Sequence, residues 1–530
     1  MAIDWVSVLL LGSAPAPHQN RLLWIPPAVG LVVGLATRWI FPDVRGSGVN
    51  QTKAALYIRN GFISFRTVVG KFVLCSLALG GGFSSGPEDP SLQIGAGVAS
   101  LISRRVGLSR ERLRIFAPIG AAAGLAAAFN APISAILFVI EEVIGQWSAA
   151  VLGSIVLSAV SAVVVARAFW GAEPIFRIPQ INLRDFRELI AYAVLGIVGG
   201  IASLFFAKFV GWLRPLLRSQ PRTLQMFQPA IAGLIVGAIG YFGLTQVMGI
   251  GYTGIDQAMH AQFTWKMLLL LAIFKIITST VSFSSGSPGG MFAPTLFTGA
   301  MLGAAVGSVE KLYFPHLTGS IGAYALVGMG VLFAAFLRAP LTSVFMVLEM
   351  SGNYSIVLPV ILANTIAYLL SRSFQPLPIF EVFTHQDGLD LPSMEEQREE
   401  SYLHLEDALQ PISVPVLQGS EQVADAKHAL VQYGSAPEDA PVLIHCKDGL
   451  WYTARRAELD QLLQEAASDT MLNDLLGRER TPILFPDLPL ASALPHFQRW
   501  PLLPITNRAL RGSLEGAVTL DDVLRRYQQH

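Results

Sequence analysis

The chain has 530 residues, 52% apolar and only 14% charged, with a mean hydropathy of +0.50, a balance that excludes an ordinary water-soluble globule. Its formal net charge of zero hides a split: residues 1–383 carry 25 basic and 14 acidic side chains, whereas residues 384–530 carry 12 and 23. One body is suited to lipid and the other to water.

Residues 1–12 lack the basic start of a signal peptide and are short for one. Stretches 22–41, 148–169, 189–212, 229–248 and 354–371 then approach the length needed to span a bilayer as helix. Between them, 72–82 and 283–303 are apolar but broken by Gly and Pro. A backbone break at membrane depth persists only where protein or a water-filled cavity satisfies it, as in a transporter or channel. One break, "GGFSSGPEDPSLQIGAG" at 81–97, holds Glu88 and Asp89 side by side. Acids in hydrocarbon are costly, and those that remain face a water path or a partner. Cys75 and Cys446 lie far apart, which excludes a disulfide framework and fits a reduced cytoplasmic side. The nine His are scattered with no metal spacing, and there is no Walker-type loop, so neither an enzyme, a metal site nor a nucleic-acid partner is expected.

The chain repeats itself. Phe83-Ser84-Ser85-Gly86 returns as Phe283-Ser284-Ser285-Gly286, and Gly46-Ser47-Gly48 as Gly249-Ile250-Gly251. Asn130-Ala131-Pro132 returns as Arg338-Ala339-Pro340, so the three offsets are 200, 203 and 208. Paired interrupted segments mark the binding site of a duplicated membrane protein. If the copies are inverted, helix starts converge from both sides, and their free N–H groups favour an anion.

These residues resemble the CLC family of chloride channels and proton-coupled chloride exchangers, over roughly 22–383. Its Gly-Ser-Gly-Ile-Pro segment is similar to "GSGVN" at 46–50, and its Gly-Arg-Glu-Gly-Pro segment to "GPEDP" at 86–90, followed by "SLQIG". Its Gly-Gly-Ile-Phe-Ala-Pro segment is similar to "GGMFAP" at 289–294, and "FNAPISAILFVIEEV" at 129–143 also resembles the family. The resemblance implies an all-α integral membrane protein with an inverted repeat, working as a homodimer with one pathway per subunit. It makes Glu88 the external gate, whose carboxylate occupies an anion site when ionised and swings out when protonated. It makes Glu142 the proton-transfer residue; Glu141 beside it reads as a solvated acid at the helix end. Ser47 and Gly48 would hold the central anion, with the backbone N–H groups of Met291 and Phe292 lining the site. The bland alternatives are a Ser47 that only caps a helix and side chains that only pack.

Three departures from the family pattern stand out. Pro87 and Asp89 replace an arginine and a glycine around the gate; Asp89 either repels anions and couples to Glu88, or is a solvated residue at the mouth. Phe380 falls where the family has a tyrosine whose hydroxyl meets the central chloride. Two further helices normally precede the one at 22–41, and residues 1–20 are too short for both, which implies a truncated or late start.

Residues 384–400 read as an acidic linker, and 401–530 resemble a CBS-domain pair, a cytoplasmic α/β module. The order strand, helix, strand pair, helix is expected at 412–434 with 440–463, and again at 481–500 with 502–527. Some CBS pairs bind adenine nucleotides through a Thr and an Asp three residues on. Thr519 and Asp522 fit, but Thr453 is followed by Arg456, leaving one half-site against a purely bracing tail. The favoured activity is chloride/proton antiport; a gated chloride channel and a nucleotide-regulated sensor with slow flux are the rivals.

Overall fold

Proline and glycine decide where the helices of this chain begin and end. The computed structural model describes residues 2–12, 19–108, 110–145, 149–173, 175–176, 186–316, 318–389, 391, 403–410, 414–432, 437, 439–477, 479–508 and 513–528. They fall into two units, Met1–Pro392 and Ser393–His530. Among the described residues of the first, seven helices are long and apolar enough to cross a membrane. These are Gln19–Trp39, Arg112–Phe129, Val151–Trp170, Glu188–Arg218, Trp265–Ser284, Phe292–Tyr313 and Tyr354–Gln386. This unit is therefore a multi-pass, all-α membrane body.

The span expected at 229–248 is shorter. Helix Gln228–Tyr241 stops, Gly243 takes φ +104°, and a 3-10 turn, Thr245–Val247, leads into the next glycine break. Val247 and Met248 are buried, so the break itself is apolar and reads as a continuing helix.

The duplication appears as paired interactions. Ser64 accepts from the Thr67 N–H to cap Phe65–Gly80, and Thr264 accepts from the Met267 N–H to cap Trp265–Ser284. Lys71 donates to Val44 O and Gly46 O at 3.0 and 2.6 Å. Lys275, 204 residues on, donates to Val247 O and Gly249 O at 3.2 and 2.9 Å. Both side chains are wholly buried, and the carbonyls of the two glycine breaks are what receive them.

Between the copies the bonds are reciprocal. Gly86 N–H donates to Gly290 O at 2.9 Å, and Gly290 N–H to Gly86 O at 2.7 Å. Glu349 accepts from the Ile133 and Ser134 N–H groups and the Ser134 hydroxyl at 3.0, 2.8 and 2.5 Å. Glu141 accepts from the Leu341 and Thr342 N–H groups and the Thr342 hydroxyl at 3.2, 2.9 and 2.6 Å. Equivalent groups exchanging equivalent bonds define a two-fold relation. Helices Glu88–Arg105 and Phe292–Tyr313 both start beside the Gly86–Gly290 pair, so the copies are inverted about that axis.

Glu141 thus departs from the solvated placement: it is buried and caps helix Pro340–Ser351 of the other copy. It lies in the π-helical turn Val139–Ile144, where adjacent side chains point in different directions, so Glu141 and Glu142 face different neighbours. Glu141→Ala is expected to cost roughly 2–3 kcal/mol, because the donors of Leu341 and Thr342 lose the carboxylate that receives them. The half-buried Glu349 should cost less when cut to Ala. Melting of the purified protein in detergent checks both, and an unchanged transition for Glu141→Ala would refute the brace.

The second unit is α/β. Strand β1 (Val416–Gln418) runs parallel to β2 (Pro441–His445), which pairs antiparallel with β3 (Trp451–Arg455). Helices Val423–Gln432 and Arg456–Glu465 complete the expected first half. The other half follows the pattern only in part. Strands β4 (Leu503–Thr506) and β5 (Leu514–Val518) pair and lead into helix Leu520–Gln528. Its opening strand is reduced to one bridge, Leu484 to Ile505, and its first helix is a 3-10 run, Leu490–Gln498. Pro495 inside that run lacks the N–H that an α-helix would need there.

Candidate functional site

Three glycine breaks meet in the first unit. Gly46 and Gly48 take φ +81° and +117°, backbone that side-chain-bearing residues rarely adopt. A Cβ on Gly48 would lie 2.9 Å from Asp89 O and 3.0 Å from Gln93 Oε1, so only glycine lets the two segments touch. Gly289 N–H donates to Gly46 O at 3.4 Å, and the Gly86–Gly290 pair closes the junction. The starts of helices Val49–Tyr57, Glu88–Arg105 and Phe292–Tyr313 are gathered there. Free N–H groups and partial positive charge at such starts suit an anion.

Ser47 serves the local chain as well. Its Oγ accepts from the Val49 N–H at 3.3 Å, while among the described residues no acceptor takes its O–H. That proton is free to be donated to an anion. Phe380, wholly buried, stands at the start of helix Ile379–Gln386. Its ring centroid lies 6.5 Å from that of Phe138, 6.4 Å from Phe292 and 6.3 Å from Phe383, forming an aromatic collar. Phe292 fills the same collar, 4.8 Å from Phe138 and 5.1 Å from Phe333. Asn50 Nδ2 donates to Phe380 O at 3.0 Å, which ties the first break to the collar.

Met291 does not present its N–H as the resemblance implied. That group donates to Asp89 Oδ2 at 2.9 Å. Asp89, wholly buried in the first turn of its own helix, reaches across to cap the Phe292 helix. It is therefore a buried cap, not a solvated residue at the mouth. Glu88 is also buried, at 1% exposure. Its Oε1 accepts from the Tyr252 hydroxyl at 2.5 Å, and its Oε2 has no hydrogen-bond partner among the described residues. That second oxygen lies where a Cβ on Gly86 would come within 2.0 Å of it and 3.0 Å of Ala293 N. The carboxylate thus sits between two helix starts.

Glu142 is buried in the π-helical turn and forms an ion pair with Lys53, itself buried on helix Val49–Tyr57. The pair links the second acid to the helix that starts at Gly48. Sequence reasoning missed Lys53, Lys71, Lys275, Asn50 and Tyr252. The repeat offsets pair Lys71 with Lys275 and Glu141 with Glu349, and Tyr252 directly follows the Gly-Ile-Gly break of the second copy; those were the available signals.

In the second unit, Thr519 and Asp522 bond each other. The Thr519 hydroxyl and N–H donate to Asp522 Oδ2 at 2.6 and 3.0 Å, and the Asp522 N–H returns to Thr519 Oγ1 at 3.2 Å. This is a reciprocal helix cap. Thr453 is engaged as well, donating to Leu502 O at 2.9 Å and lying 3.0 Å from the Thr481 hydroxyl. Arg456 bonds Leu430 O and pairs with Asp460.

Residues 29–372 match the family model described as voltage gated chloride channel. A ClcB-like relative from Ralstonia nicotianae, named for chloride channels, is 34% identical over 67% of this chain and 83% of its own. The H(+)/Cl(-) exchange transporter ClcA of Vibrio campbellii is 32% identical over 65% of this chain and 75% of its own. Among solved structures, a slow cyanobacterial Cl-/H+ antiporter superposes with TM-score 0.66 at 25% identity, covering 75% of this chain and 93% of the other. A eukaryotic CLC transporter shares the fold at TM-score 0.61 and 20% identity, over 98% of this chain and 93% of its own.

Proposed function

This chain belongs to the voltage-gated chloride channel family, and from that premise we propose that it exchanges chloride for protons across a membrane. The observation that carries the reading is the Glu88 carboxylate lodged between the starts of helices Glu88–Arg105 and Phe292–Tyr313. A carboxylate there competes with chloride for the partial positive charge of those helix starts. Protonation removes the charge those helix starts hold, so the side chain yields its place to chloride. Occupancy and protonation are then linked, which is the condition for exchange.

The protons reach Glu88 by way of Glu142. An acid buried at the end of a membrane helix is expensive, and a channel has no use for one. Ser47 and the Gly48 break hold the central chloride, and the Phe380 collar closes the inner side. Phe380 supports the channel rival, because a phenyl ring fills space but donates no hydrogen bond. A retained costly acid outweighs a lost neutral hydroxyl. Both outcomes are transport, and no enzymatic step is proposed.

We read the second unit as a CBS-domain pair on the cytoplasmic side that braces a homodimer. Thr519 and Asp522 satisfy each other, and Thr453 is held by Thr481 and Leu502, which favours bracing over an adenine-nucleotide site.

The deciding experiment uses full-length protein in liposomes with a chloride gradient. Chloride running down its gradient is expected to drive protons uphill. Dissipation of the gradient with no proton movement would put the channel in place of the exchanger.

A further inference from the structure

Tyr252 is not one of the residues that the exchange reading uses. It is the first residue of helix Tyr252–Met259, set by Gly251 at φ +92°. The matching position in the first copy, 203 residues earlier, is Val49, the first residue of helix Val49–Tyr57. The duplicated scaffold therefore offers two equivalent helix starts, and only the second carries a hydroxyl on its first helical residue.

That hydroxyl meets Glu88 Oε1 at 2.5 Å, across 164 residues of sequence. The ring is held edge-on against Phe176 at 5.7 Å, so the phenol has little freedom to turn away. Tyr252 also lines a cavity of about 290 Å³ shared with Gly82, Gly249, Thr253 and Asp4. It stands between that cavity and the gate. A part-buried phenol in such a place donates to a carboxylate more strongly than to a neutral acid, because hydrogen bonds to ionised groups are roughly twice as strong.

We propose that the Tyr252 hydroxyl is a latch on Glu88: it holds the ionised carboxylate in the anion place and slows its release, and so sets the turnover. The proposal rests on Glu88 being the gate. Tyr252 is a positioning residue, since it acts through that carboxylate. The other charged and titratable groups facing Glu88 are Asp89 beside it, Lys275 of helix Trp265–Ser284, and Cys75 of helix Phe65–Gly80, where Lys71 faces Asp89 and Cys75. None of them is touched by removing one phenolic oxygen.

Tyr252→Phe keeps the ring and its packing on Phe176. In liposomes, full-length Tyr252→Phe is expected to move chloride roughly tenfold faster, from the loss of one hydrogen bond to a charged group. Its activation by acid should set in about one pH unit higher, because the ionised gate has lost a donor. In a Glu88→Ala background the same substitution should change nothing, since no carboxylate remains to be held. Unchanged or slower flux in Tyr252→Phe would overturn the latch. So would an equal acceleration in both backgrounds, which would mean packing alone. Failure of the gate reading looks different: Glu88→Ala would itself still couple protons to chloride.

Discussion

In the Glu88→Gln protein, chloride flux is expected to persist while proton movement disappears. Glutamine keeps the size and shape of the side chain, and its amide oxygen can still accept from Tyr252. What it loses is charge. Chloride then competes for the starts of helices Glu88–Arg105 and Phe292–Tyr313 against a neutral amide. A hydrogen bond to a neutral group is worth about 1 kcal/mol against roughly 1.5–3 kcal/mol for a charged one. The amide should leave the site more readily than the carboxylate and let chloride through. It cannot carry a proton, so the coupled ion is lost altogether. Paired chloride-electrode and pH-electrode recordings on liposomes give both fluxes at once. Proton pumping by Glu88→Gln at the wild-type ratio would sink the assignment of the gate.

The second large effect is expected at Glu142. Glu142→Gln should stop protons and spare chloride, because the aromatic collar and the glycine breaks are untouched. It should also destabilise the protein, since Lys53 would be left as an unpaired buried cation. Breaking a buried pair by removing one member costs about 3–5 kcal/mol, while replacing both members with apolar groups is often neutral. The double variant Lys53→Met with Glu142→Leu should therefore recover the melting temperature but not the protons. That comparison separates transport from support. If the double variant regained uphill proton movement along with its stability, Glu142 would be a structural anion and the proton would enter elsewhere.

Backbone conformation is local to a residue, whereas its partners across the fold are not. A positive φ is a property of one residue and its neighbours, so Gly46, Gly48 and Gly251 are readable as glycines in a break. Pro132 and Pro340 open helices for the same local reason, after Asn130 and Arg338 in left-handed backbone at φ 54° and 62°. Second-unit elements were legible where strands and helices alternate cleanly, as in β1 to β3. They failed at 481–500, where Pro495 forbids the helix that the apolar spacing implied.

The amino-acid sequence by itself determined that this is a duplicated membrane protein, where its helices break, and that Glu88 and Glu142 are acids lipid alone could not keep. It also determined that the tail is a separate, water-suited body. Only the tertiary structure decided who meets whom. The pseudo-two-fold axis brings Glu141 to Thr342 and Glu349 to Ser134, and turns Asp89 into the cap of the Phe292 helix. It pairs Glu142 with Lys53 across 89 residues, and sets the Tyr252 hydroxyl on Glu88 across 164. No periodicity or spacing encodes such partners. Each depends on two helix starts being carried to one place by packing elsewhere, and on burial that makes an unmet polar group too costly to leave.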